Sequence, residues 1–179
     1  MKFAYADPPY PGNAHLYKDH PDYAGEVDHK ELIARMDSEY DGWLLHTGSN
    51  NLAYIMGLLT ELDISNYRVM SWVKPFAAFK RNVSVAYAWE PIIVKAIRKP
   101  VVSKRIDGLI MRDWLAESIT LKKGLTGTKP SKVCVWLFEV SGLEPEDEFY
   151  DLYPGTLAVS EAHEDWCDTV EAWRRGDLR

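Results

Sequence analysis

The chain has two cysteines, no long apolar run and no surplus of positive charge, and each absence excludes something. Cys134 and Cys167 have no metal-like spacing and no histidine partner that the pattern suggests. That excludes a disulfide scaffold and predicts reduced thiols in a cytoplasmic protein. No apolar run approaches the roughly 20 residues that cross a bilayer, so no membrane partner is expected. The N-terminus lacks the basic-then-apolar pattern of a signal peptide. Internal repeats and low-complexity tracts are absent as well. What is present is 179 residues, 46% of them apolar, which suits one domain over residues 1–179 with a sizeable core and argues against disorder.

The net charge of −6 is unevenly spread. Residues 68–132 hold 14 Lys/Arg and 4 Asp/Glu, and the rest hold 7 and 23. A basic middle between acidic ends suits a phosphate-binding face on an acidic body; the other reading is a solvated charge pattern. Trp72, Phe76, Phe79, Tyr87, Trp89 and Trp114 lie among those cations, as in surfaces that bind nucleic acid.

Residues 3–10 read Phe-Ala-Tyr-Ala-Asp-Pro-Pro-Tyr. The apolar run predicts a buried strand, and two prolines, with fixed φ and no N–H, end it on a stiff turn. Asp7 is thereby left at the carboxyl edge of a strand with the Tyr10 ring close by. That arrangement suits an exocyclic amine of a nucleobase: Asp7 and the Pro8 carbonyl accept its two N–H bonds and Tyr10 stacks on the ring. Pro9 completes the turn. The plain structural reading is a proline-rich turn capped by Asp.

Strands and helices alternate after that. A long loop, 11–27, carries His15, Tyr17, His20 and Tyr23, and lies where it could close over a substrate. Asp28 with Glu31 makes a capping box for a helix to about Asp37. A strand at 43–47, a turn at 48–51, a helix at 51–62 and a strand at 67–73 follow. Residues 83–87 and 91–97 read as a strand pair joined through 88–90. Residues 98–128 read as loop-rich with one short element. Pro130 opens a helix that Gly142 ends near Ser141. A strand at 148–153, a Pro-Gly turn and a helix at 158–172 complete an α/β pattern with a central, largely parallel sheet.

The Asp7-Pro8-Pro9-Tyr10 turn resembles the catalytic motif of S-adenosylmethionine-dependent amino-methyltransferases, which act on adenine N6 or cytosine N4. Asp151-Leu152-Tyr153-Pro154-Gly155-Thr156 is similar to the family's cofactor loop, with Tyr153 in place of Phe and Leu157 where a second glycine is expected. Gly127-Thr128-Lys129-Pro130 resembles its Lys-Pro motif. Trp72-Val73-Lys74-Pro75 and Trp89-Glu90-Pro91-Ile92-Ile93 resemble strands of the adenine N6 subgroup, which includes messenger-RNA adenosine methyltransferases and bacterial and phage DNA methyltransferases. The order, catalytic turn first, is the permuted, beta-class one, and the resemblance spans residues 4–160.

The resemblance implies a reduced, permuted Rossmann-like class I methyltransferase fold with helices on both faces of the sheet. It implies S-adenosyl-L-methionine as cofactor, held by Asp7, Lys74, Thr128, Lys129, Pro130, Asp151, Tyr153, Gly155 and Thr156. Lys74 is assigned to the cofactor carboxylate or a nearby phosphate. No metal is implied. DNA is the expected partner, ahead of RNA, with Lys80, Arg81, Arg98, Lys99, Lys104 and Arg105 on its backbone by charge alone. Residues 98–128 are the candidate for a short target-recognition insertion, which implies loose recognition or a homodimer or partner subunit that supplies it. The strand whose acidic end serves the ribose hydroxyls in the family has no counterpart after residue 160. Three alternatives remain at this point: the same chemistry on RNA, on cytosine N4, or an inactive nucleic-acid-binding or partner-activating subunit.

Overall fold

The computed structural model describes residues 1–18, 25–76, 83–100, 110–120 and 128–178. Lys80, Arg81, Lys104 and Arg105, together with His20, Tyr23 and Phe79, lie outside the described residues. Six strands form one sheet: β1 (Lys2–Ala6), β2 (Gly42–His46), β3 (Arg68–Val73), β4 (Trp89–Lys95), β5 (Trp114–Ala116) and β6 (Glu148–Asp151). Their order is β5-β3-β4-β2-β1-β6. β1 runs parallel to both β2 and β6, and β3 runs parallel to β5; β4 alone runs antiparallel to both its neighbours, β2 and β3.

Period-2 alternation divides β1 between two cores. Phe3 and Tyr5 pack on one face of the sheet and Ala4 and Ala6 on the other. Among the described residues, four helices cover the faces: α1 (His29–Glu39), α2 (Leu52–Glu61), α3 (Ser131–Ser141) and α4 (Ala158–Arg175). Leu32, Ile33 and Met36 of α1 with Ile55 and Leu59 of α2 pack beneath Ala4, Ala6, Trp43 and Leu45. Val133, Leu137 and Phe138 of α3 with Val159, Trp166 and Val170 of α4 pack against Phe3, Tyr5 and Leu44. The sheet with helices on both faces is the expected α/β architecture.

The local signals act as the sequence suggests. The Asp28 side chain accepts from the Glu31 amide at 3.0 Å and starts α1. Pro130 caps α3, and Gly142 ends it in the left-handed conformation at φ 70°. A Cβ there would lie 2.2 Å from the Arg98 carbonyl oxygen, so close approach as well as φ requires glycine.

One expected element differs. Residues 83–87 form no strand, and β4 begins at Trp89 and pairs with β2 and β3. The Ala88 amide bonds to the Ala86 carbonyl and the Lys74 amide to the Ala88 carbonyl. The chain therefore closes on itself before entering the sheet, and the partner of 91–95 is the strand ending at Val73. Among the described residues of 98–128, the short element is β5.

Candidate active site

β1, β2 and β6 run in the same direction, so their carboxyl ends share one edge of the sheet. β4 enters that edge by its amino end, and β3 leaves by it. Asp7, His46, Lys74, Glu90 and Asp151 are thereby gathered from five strands. The first turn of α3 adds Thr128 and Lys129 from the helix side.

The turn itself is held from several directions. The His29 ring is buried and bonds to the Val27 carbonyl at 2.9 Å. Burial lowers its pKa, although the Val27 carbonyl, the Glu26 and Asp28 carboxylates and the Pro9 carbonyl oppose that. The Asn51 amide reaches the Pro11 carbonyl at 3.2 Å, and Glu26 accepts from the Gly12 and Ala14 amides at 3.2 and 3.3 Å. Beyond it, Ala14–Tyr17 makes a 3₁₀ turn that brings the Tyr17 phenol into the field of the site. Burial raises that phenol, and Asp7 and Glu90 raise it further against Lys129.

At the centre lies a chain of buried polar contacts. Lys129 Nζ is 2.8 Å from Asp7 Oδ2 and 3.2 Å from Glu90 Oε1. Glu90 Oε1 is 2.6 Å from His46 Nδ1, and Glu90 Oε2 is 2.7 Å from Lys74 Nζ. His46 Nε2 is 2.8 Å from the Tyr5 hydroxyl. An ionised carboxylate only accepts, so His46 Nδ1 donates to Glu90, and in the neutral ring Nε2 then accepts from the Tyr5 hydroxyl. Both lysines lie over the Trp72 ring, at 4.4 Å for Lys74 and 5.6 Å for Lys129. Two cations and two carboxylates balance here, which is how buried charges are tolerated.

The proton affinities follow from this arrangement. Burial pushes the Glu90 carboxyl up, but the Lys129 ammonium, His46 and Lys74 outweigh it and hold it well below the usual carboxylate range. Burial favours a neutral Lys129, but the charges of Asp7 and Glu90 leave it above the ordinary lysine value. Tyr10 is raised by burial, then by the carboxylates of Glu90 and Asp7, including a hydrogen bond to Glu90. Its ring packs on Gly48, where a Cβ would come within 3.2 Å of Tyr10 Cδ2.

Asp7, His46 and Glu90 could also hold a metal, since their ligand atoms lie within 4.8 Å of one another. Lys129 already supplies a cation between two of them.

The second loop meets the first because β6 lies beside β1. Tyr5 and Asp151 are in register, and the Leu152 amide bonds to the Tyr5 carbonyl at 2.9 Å. Asp151 accepts from the Tyr153 amide at 3.2 Å and from Ser160 Oγ at 3.4 Å. Burial raises its carboxyl to about 6, with a contribution from the Asp7 charge. Gly155 has φ 44°, and Leu157 precedes α4 in the left-handed conformation at φ 60° with its side chain 54% exposed. Leu157 thus adopts the backbone shape that a glycine there would take, and keeps its side chain largely in solvent. Thr128 Oγ1 and Thr47 Oγ1 are buried and have no hydrogen-bond partner among the described residues.

The structure brings together Asp7, Pro8, Pro9, Tyr10, Lys74, Thr128, Lys129, Pro130 and Asp151, with Tyr153, Gly155 and Thr156 on the adjoining turn. Lys74 has its ammonium on Glu90. Arg98 is not at this edge. It follows β4 at the opposite edge and bonds to the Gly142 carbonyl at 2.9 Å and to both oxygens of Asp147, one of them at 3.0 Å. Lys99 follows it and is exposed. Cys167, expected to lack a histidine neighbour, lies 3.6 Å from His163 Nε2 one helical turn away, and that ring stacks on Phe149 at 4.2 Å. Sequence reasoning did not single out His46 or Tyr5 for the site. His46 ends an otherwise apolar strand run, which was the available signal.

No family model matches the sequence, and no curated protein matches it. Solved structures do match in fold. The M1.HpyAVI–SAM complex superposes with a TM-score of 0.61 at 17% identity, over 93% of this chain and 78% of that one. A second M1.HpyAVI structure gives 0.59 at 14% identity, over 93% and 76%. The PvuII DNA methyltransferase, specific for cytosine N4, gives 0.53 at 12% identity, over 96% and 85%. At these identities the likeness establishes the fold, a Rossmann-like α/β sheet shared with methyltransferases. No helix among the described residues is long and apolar enough to cross a membrane.

Proposed function

We propose that this chain methylates an exocyclic amine of a nucleobase, with N6 of adenine in DNA as the acceptor and S-adenosylmethionine as the donor. The observation that carries the reading is the convergence of an Asp-Pro-Pro-Tyr turn, a Thr-Lys-Pro helix start and an Asp-x-x-x-Gly-Thr turn on one sheet edge, joined by the 2.8 Å contact of Lys129 with Asp7. Two of the similar structures support its coarser part, methyl transfer from SAM to DNA, one being a SAM complex and the other a DNA methyltransferase specific for cytosine N4; the choice of adenine N6 rests on the motif resemblance.

The residues present fit the cofactor. Thr128 Oγ1 is a buried hydroxyl in need of a partner, as an amino-acid carboxylate offers. The half-buried Asp151 suits a cationic amine, and Gly155 allows close backbone approach beside Thr156. Pro130 and Tyr153 are the apolar wall. The cofactor supplies an already activated methyl group, so the chain's work is alignment and charge placement. Asp7 and the Pro8 carbonyl draw on the two amine protons and bias the nitrogen toward a tetrahedral shape. Asp7 need take no proton before the methyl moves, and it is the nearest carboxylate to receive one afterwards. A paired base cannot reach this edge, so the acceptor is single-stranded or flipped out, with Tyr10 against its face. Asp at position 7 favours adenine over cytosine.

Labelled S-adenosylmethionine with unmethylated DNA, and separately with RNA, tests this. The expected result is N6-methyladenine in DNA, lost in Asp7→Ala. N4-methylcytosine or labelled RNA alone would redirect the substrate. Transfer that survives Asp7→Ala would remove Asp7 from the chemistry.

A further inference from the structure

Glu90 stands outside the Asp-Pro-Pro-Tyr turn, yet the turn's partners gather on it. It is 5% exposed. Oε1 takes His46 Nδ1 at 2.6 Å and Lys129 Nζ at 3.2 Å, and Oε2 takes Lys74 Nζ at 2.7 Å. Of the two lysines, Lys129 continues to Asp7, meeting Oδ2 at 2.8 Å. Lys129 is therefore strung between two anions and is 7% exposed. Asp7 has the more accessible side chain of the two, 22% against 6%.

An ammonium and an acceptor amine are both hydrogen-bond donors, so at Asp7 they compete for the same lone pairs. The ammonium has the advantage of charge. What keeps it from taking the whole carboxylate is its second anchor. We propose that Glu90 is the positioning residue of the acceptor site: it holds Lys129 astride two carboxylates, confines the ammonium to one oxygen of Asp7 and leaves the other oxygen for the acceptor amine. The proposal rests on the methyl-transfer reading above and adds a residue to it. Without the Glu90 charge, Lys129 keeps one anionic partner and moves onto both oxygens of Asp7. The acceptor then has to displace it. The cofactor contacts of Thr128 and the 151–156 turn are untouched. Glu90 also holds the Tyr10 hydroxyl, so a role through stability or through Tyr10 alone predicts that Lys129 stays on Oδ2 of Asp7 in a Glu90 variant.

Glu90→Gln keeps the shape and removes the charge. A crystal structure of the variant should show Lys129 Nζ within hydrogen-bond reach of both Asp7 oxygens. An ammonium still on Oδ2 alone would overturn the proposal, and this readout needs no activity. In kinetics the acceptor KM should rise about tenfold or more while the cofactor KM stays within about twofold. Two unchanged constants would overturn it as well. The double variant Glu90→Gln/Lys129→Met removes one charge of each sign, and so guards against a single variant that fails to fold. It should bring the acceptor KM back toward the wild-type value, and an acceptor KM raised tenfold in the double variant would count against competition by Lys129. A wild-type protein that transfers no methyl group defeats the preceding reading instead, and the position of Lys129 in Glu90→Gln still decides the role of Glu90.

Discussion

Lys129 Nζ lies 2.8 Å from Asp7 Oδ2, joining the turn after the first strand to the start of the helix that precedes the last strand. The contact exists because β1 and β6 are parallel neighbours and α3 packs across them. Asp7→Asn keeps the side-chain shape, removes the anion and leaves the Lys129 ammonium with Glu90 as its remaining carboxylate. Methyl transfer should fall by about 100- to 1000-fold, the usual loss for one preorganised polar group. Stability should fall by about 1–3 kcal/mol as the buried ammonium loses one of its two anionic partners. Cofactor affinity should persist. Radiolabel transfer, chemical denaturation and calorimetry with S-adenosylmethionine separate the three.

Asp151 gives a pH signature. Its folded pKa is raised from 3.8 to about 6, chiefly by burial, so the native state binds more protons than the unfolded chain between those values. Stability therefore falls as pH rises from about 4 to 6, and the destabilisation is complete above that window. Asp151→Asn keeps an acceptor for the Tyr153 amide and has no charge to desolvate. Its Tm should exceed that of the wild type at pH 8, by a margin that shrinks at pH 5. The same substitution should weaken cofactor binding at pH 8. A higher Tm with undiminished affinity would separate Asp151 from the cofactor.

The local elements were legible because each is marked by a few adjacent residues: the two prolines after β1, Asp28 with Glu31, and Pro130 with Gly142. The sheet order was not, because strand pairing joins residues far apart in sequence, and nothing near Trp89 shows that β4 inserts between β2 and β3. The candidate site divides the same way. Asp7, Thr128, Lys129 and Asp151 sit in recognisable runs. Glu90 read as part of the 88–90 connection and of a resembled strand run, with no role of its own, since only the antiparallel entry of β4 places its first residues beside the carboxyl ends of β1 and β2. Arg98 read as a cation for the nucleic-acid backbone, because charge alone carries no address.

Arg98 should act through stability. Burial pushes the Asp147 carboxyl up, and the Arg98 guanidinium, the Glu144 amide and the N-terminal amine outweigh it and bring it down to about 2. That stabilisation is fully present above about 4 and is lost as pH falls toward 2. Arg98→Ala should lower Tm at pH 7 by about 2–4 °C per kcal/mol lost. The gap to wild type should narrow in acid. Affinity for an oligonucleotide should be unchanged; a fall in affinity with no change in Tm would restore Arg98 to a binding role.

Leu157 tests whether a departure from the resembled loop has consequences. Its φ of 60° costs a branched residue about 1–2 kcal/mol, and glycine would remove that cost while loosening the unfolded chain by a similar amount. Leu157→Gly should therefore leave stability within about 1 kcal/mol. Because the side chain is largely in solvent, cofactor affinity should change by less than about twofold. A much tighter complex would show that the leucine crowds the bound cofactor.

Gly48 offers the most selective probe of the acceptor seat. Its φ of −75° suits any residue, so an added methyl group is judged by what it meets. A Cβ would lie 2.7 Å from Asn50 Oδ1 and 3.2 Å from Tyr10 Cδ2. The Asn50 side chain can rotate away. The Tyr10 ring has less freedom, because its hydroxyl is drawn to Glu90 and its backbone is held by the turn. Gly48→Ala should tilt that ring without strain in the backbone, with stability changed by less than about 1 kcal/mol. The acceptor KM should rise several-fold while cofactor affinity stays constant. An unchanged acceptor KM would place the base elsewhere than against Tyr10, since no other contact of the methyl group is rigid enough to absorb it unnoticed.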